Sequence, residues 1–160
     1  FPSPVDTQQL LSAALYCDQA PLEGGFGTAV DEFTAKGGYW ASHAAIAVQW
    51  VREHGCPLEG IDARVDLLVS TLAGELERAT VADDLALEQG AALVYLGAAA
   101  RVPAAVVDLA LRQQHADGGW GINGPGDPTN WHPTFLGLWM LLGVESPGTG
   151  ATMMSVATGR

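Results

Sequence analysis

Basic residues are scarce in this chain of 160 residues. One lysine, Lys36, and seven basic residues in all face eighteen acidic ones, for a formal net charge of −11. A surface so poor in cations has little with which to neutralise phosphates, which argues against nucleic acid or anionic lipid as a partner held by a basic face. Long apolar runs are missing too. The longest, Ala91 to Ala100, is interrupted by Tyr95 and Gly97. It falls short of the ~20 residues that a bilayer-spanning helix needs, so no membrane span is expected. There is no Gly-x-Ser-x-Gly elbow, no phosphate-cradling loop with a following lysine and no paired Cys-x-x-Cys. Hydrolase, nucleotide-binding and zinc-finger readings therefore have no support. Convincing strand alternation is absent as well.

What is present is apolar and helical in period. Hydrophobic residues make up 48% and charged residues 16% of the chain, a globular balance. Its length suits one domain that buries roughly two-thirds of the unfolded surface. Six segments show helical spacing: 6–18 behind an Asp6 cap, 40–54 stopped by Gly55 and Pro57, 62–79, 83–100 opening at Asp83, 103–114 behind Pro103, and 132–143 closing at Gly143. The fourth is apolar nearly all round, which predicts a helix enclosed by others. Paired in order, the six give an all-α fold of three αα-hairpins over residues 1–145. Residues 146–160 read as a flexible C-terminal tail.

One pattern recurs. Leu15-x3-Gln19-x4-Gly24-Gly25-Phe26-Gly27 is matched 94 residues later by Leu109-x3-Gln113-x4-Gly118-Gly119-Trp120-Gly121. Each copy leads into an aromatic and then an apolar run, Tyr39-Trp40-Ala41-Ser42-His43 in the first and Asn130-Trp131-His132-Pro133-Thr134 in the second. Such a period marks stacked supersecondary units. Adjacent glycines permit positive φ at a sharp reversal. Phe26 and Trp120 can then cover neighbouring helix ends, and the amides of Gln19 and Gln113 can bond exposed backbone of the loop. These eight repeat residues are read as structural.

The Gln-x4-Gly-x-Trp pattern resembles the repeat of squalene and oxidosqualene cyclases, and the surrounding residues resemble the β subunits of protein prenyltransferases. The similarity covers most of residues 13–51 and 107–142. It implies a partial α/α-toroid, about half a ring, whose inner helices start at the mouth of an aromatic-lined cavity. That places Trp40, His43, Trp131, His132 and Thr134 as ligand-binding candidates. His132 falls where the prenyltransferase subunit has a zinc-binding histidine, but the Asp-x-Cys segment that supplies that family's other ligands is missing. Since a catalytic zinc needs three protein ligands, no metal and no other cofactor is expected here. His43, Cys17, Asp117 and His115 could join His132 only by proximity. Asp83-Asp84 resembles the acid motif of class II cyclases without its first aspartate, and at a helix start both are read as caps.

The pairing of the first two helices sets Cys17 and Cys56 at opposite ends of a hairpin, roughly 15 Å apart at ~1.5 Å per residue. That exceeds the ~7 Å Cα limit for a bridge, so two free thiols are expected and a cytoplasmic address is favoured. The functional expectation is a repeat module, non-catalytic or catalytically incomplete, that binds a hydrophobic, isoprenoid-like small molecule or a partner through its inner helical face. The alternative is a small terpenoid cyclase or prenyltransferase-type enzyme completed by homodimerisation. Self-association through an uncovered inner face is the third reading.

Overall fold

The structure is a computed structural model that describes residues 6–147. Most of the expected tail, from residue 148 onward, lies outside the described residues. The fold is all-α. Among the described residues there are seven α-helices: α1 (Thr7–Leu15), α2 (Phe26–Lys36), α3 (Gly38–Glu53), α4 (Ile61–Leu76), α5 (Asp84–Tyr95), α6 (Ala104–Gln113) and α7 (Trp131–Glu145). A single 3-10 turn, Ala99–Arg101, follows α5. Two short strands, β1 (Trp120–Gly121) and β2 (Thr129–Asn130), pair antiparallel in the loop before α7. No helix among them is long and apolar enough to cross a membrane.

Local chemistry explains where the helices start. Asp6 closes a capping box with Gln9 at the start of α1. The Asp83 side chain accepts from the Ala86 amide at the start of α5, and Asn130 accepts from His132 at the start of α7. Helix α3 has no side-chain cap of its own. The Glu75 carboxylate reaches over from the end of α4 and accepts from the Gly38 amide at 3.0 Å, satisfying one orphan donor with a charged acceptor.

The helix α2 was expected to be loop. Its buried residues Phe26, Ala29, Val30 and Phe33 follow helical spacing. The extra helix changes the direction of everything before it. The chain runs as α1 followed by three out-and-back pairs, α2–α3, α4–α5 and α6–α7. The odd-numbered helices pack side by side, α1 on α3, α3 on α5 and α5 on α7. The C-terminal ends of α1 and α3 meet, and Cys17 and Cys56 form a disulfide with Cα atoms 6.1 Å apart. The expectation of free thiols is therefore overturned. It assumed that α1 and α3 were direct antiparallel partners, and the intervening α2 makes them neighbours that end together.

Helix α5 is enclosed as expected, with all but one of its twelve residues buried. Close approach of α5 and α7 depends on glycines. Gly90 faces Met140, Gly143 faces Val94, and Gly137 lies under the Trp120 ring. The fully buried Trp120 indole donates to the Ala110 carbonyl and so ties α6 to this core.

The two Gly-Gly-aromatic turns turn out not to be equivalent corners. The first lies between α1 and α2, beside Pro57–Glu59 and Arg64, at the end where α3 finishes. The second lies between α6 and α7, at the end where α3, α5 and α7 begin. Their backbones differ as well. In the first turn Gly25 carries the positive φ, +106°, whereas in the second Gly118 does, +89°. Gly119 is needed for space, because a Cβ there would collide with Thr129 and Thr134. Phe26 and Trp120 are both buried. The glutamines part company. The Gln113 side chain accepts from the Ala82 amide at 2.8 Å, while the exposed Gln19 side chain donates to its neighbour Asp18.

Candidate functional site

The starts of α3, α5 and α7 share one rim, and their polar side chains converge there. Asp84 and Glu88 stand one turn apart on the same face of α5. They are 6% and 4% exposed. The Asp84 carboxylate meets His132 Nδ1 through Oδ1 at 2.6 Å and accepts the Tyr39 hydroxyl through Oδ2 at 2.8 Å. The Glu88 carboxylate accepts from Ser42 Oγ, which is fully buried, and lies 3.6 Å from His43 Nδ1. One ligand atom each from Asp84, Glu88 and His132 fall within 4.8 Å of one another.

The electrostatics of this cluster are unusual for a helical core. Two carboxylates are withdrawn from water, at a cost of several kcal/mol per ion unless a counter-charge is close. Among the described residues their ion-pair partners are the two imidazoles alone. The Tyr39 hydroxyl is held above the usual phenol range, first by burial and then by its hydrogen bond to Asp84 and the charges of Asp84, Glu88 and Asp83. It therefore stays a neutral donor and orients the Asp84 carboxylate. His43 Nδ1 also faces the Tyr39 carbonyl, which only accepts, so this nitrogen carries a proton and offers no lone pair to a cation.

Of the five ligand-binding candidates, the fold brings His43 and His132 to this cluster. Trp131 borders it, its ring 5.3 Å from that of His132 and 76% exposed. The other two are engaged elsewhere. Trp40 packs edge-on against Phe33 of α2 at 4.7 Å, with the Lys36 ammonium 4.3 Å from its ring centre, a cation–π contact. Thr134 Oγ1 accepts from the Trp120 amide and donates to the Asn130 carbonyl, which fastens the β1–β2 loop to α7. The further candidates for a cluster with His132 are also accounted for. Cys17 is in the disulfide, while His115 and Asp117 both bond Thr129 in the loop before α7. The Thr129 hydrogen bond is the main reason the Asp117 carboxyl sits below its ordinary value, with the Gly119 amide second.

Asp84 was read as a second cap beside Asp83, and Glu88 was not singled out. The signal was present as two carboxylates four residues apart in a helix otherwise apolar nearly all round. Their counterpart on α7 is 44 or more residues away in the chain, so no local pattern announces the meeting. No family model, curated protein or solved structure matches this chain.

Proposed function

We propose that the chain is a helical-repeat module that binds a divalent transition-metal ion at this rim, through Asp84, Glu88 and His132. The aromatic side chains of Tyr39 and Trp131 beside the ion would receive the apolar part of a small ligand. The observation that carries the reading is the convergence of three ligand types from two helices within 4.8 Å. Three protein ligands leave a position open for water or ligand, as in catalytic zinc sites. A cation between the carboxylates would supply the counter-charge that Lys and Arg do not provide. Zinc suits an imidazole with two carboxylates. To bind, His132 Nδ1 must give up the proton it shares with Asp84, to Nε2 or to solvent, so protons compete with the ion and binding should weaken in acid. The sequence reading expects no metal because the Asp-x-Cys pair is missing; in this proposal Asp84 and Glu88 take the place of that pair.

The test is a zinc titration of the full chain by calorimetry at neutral and at mildly acidic pH. One ion per chain is expected, with weaker binding in acid. His132→Ala and Glu88→Gln should each weaken binding by about ten- to a hundredfold or more, while Trp131→Ala should keep the metal. Absence of stoichiometric zinc, or equal affinity in His132→Ala, would discard the proposal.

A further inference from the structure

Helix α7 buries Pro133, Leu136, Gly137 and Met140 against α5 and Trp120. At 100° per residue, the opposite side of the helix carries Trp131, Phe135, Leu138 and Leu142. These are 76, 51, 45 and 64% exposed. Scattered exposed apolar side chains are ordinary, but four in one row form a patch that asks for a partner. Their spacing of four, three and four residues is that of a heptad seam, which another helix fits. Half-buried Thr134, Trp139 and Leu141 flank the row, and the only acid or base in α7 besides His132 is Glu145 at its far end.

We propose that two copies of this chain associate through this seam, α7 against α7 about a two-fold axis. The row is complementary to itself when reversed. Its first half is aromatic and its second half leucine, so an antiparallel pairing sets Phe135 beside the partner's Leu138 and Trp131 beside the partner's Leu142. Every large ring then meets a smaller side chain, as close packing requires. The area is sufficient. With aromatics carrying about 150–250 Å² each, the four side chains present roughly 400–500 Å² per copy, so a pair buries about 1,000 Å² with its flanks, the lower bound for a specific interface. A net charge of −11 on each copy opposes association, and the charge-free seam keeps those charges apart. The remaining repulsion is long-range and falls as salt is added. This inference shares Trp131 with the proposed ligand site but rests on none of Asp84, Glu88 and His132.

Sedimentation velocity of the full chain across a dilution series tests it. A monomer–dimer equilibrium is expected, shifting toward dimer as sodium chloride is raised. Leu138→Glu should raise the dimer dissociation constant at least tenfold with an unchanged helical circular dichroism spectrum, since the side chain is exposed. Leu111→Glu, at an exposed leucine of α6, should leave the dimer intact. Three outcomes would overturn the inference: wild-type protein that stays monomeric at every concentration and salt, Leu138→Glu dimerising like wild type, or a monomer whose seam holds a copurified lipid.

Discussion

Asp83 and Asp84 are neighbours in the chain with different work to do. Asp83 turns its carboxylate back to the Ala86 amide, while Asp84 turns inward to Tyr39 and His132. The difference is one of backbone: Asp83 is the extended N-cap, which lets its side chain turn back to the first-turn amides, while Asp84 is the first residue of the helix and faces the core. Replacing Asp83 by Ala should lower stability by about 0.5–2 kcal/mol and leave zinc affinity as it was. Replacing Asp84 by Asn, which keeps the shape and removes the charge, should cut zinc affinity at least tenfold on the same calorimetric scale. Urea unfolding alongside the titration separates the two effects. The cap was legible, because acidic residues before an apolar run have a local cause. The inward role was not, because it depends on a histidine 48 residues away.

Helices α5 and α7 approach closely because side chains are missing where they touch. A Cβ on Gly143 would fall inside the van der Waals envelope of Val94, a β-branched residue with little freedom to turn aside. Alanine favours a helix by about 1 kcal/mol over glycine, yet overpacking a tight interface costs about 1–3 kcal/mol. Gly143→Ala should therefore be destabilising on balance, with a lower midpoint in thermal melts. A gain in stability would mean that the two helices are loosely packed. From sequence, Gly143 read as a helix stop, whereas α7 continues to Glu145. A glycine can end a helix or let two helices touch, and local pattern does not distinguish them. Helix α2 shows the opposite failure. Its apolar residues at 26, 29, 30 and 33 had helical spacing, but the match between Gly24-Gly25-Phe26 and Gly118-Gly119-Trp120 drew both segments into one description as loops. The second is indeed a loop with a two-residue strand pair, and the first opens eleven residues of helix.

One added helix reverses the chain and so decides which ends meet. The Cys17–Cys56 bond follows from that reversal. Closing a loop of about 40 residues restricts the unfolded chain and should contribute roughly 3–4 kcal/mol. Protein purified without reductant should weigh two hydrogens less than the reduced chain, and Cys17→Ser/Cys56→Ser should unfold at a lower urea concentration by that margin. A full-mass chain with two alkylatable thiols would refute the bond. Disulfides persist in oxidising compartments, so the cytoplasmic address favoured on free thiols loses its basis.

Composition and period were enough to establish that the chain is all-α, that it is strongly acidic and that α5 is enclosed by other helices. Each of these follows from burial preference and helical spacing, which act within a few residues. The pairing of helix ends, the inequivalence of the twin turns and the meeting of Asp84 and Glu88 with His132 were settled only in three dimensions. Those features depend on the direction in which each helix returns, and a single unrecognised helix inverts that direction for every residue before it.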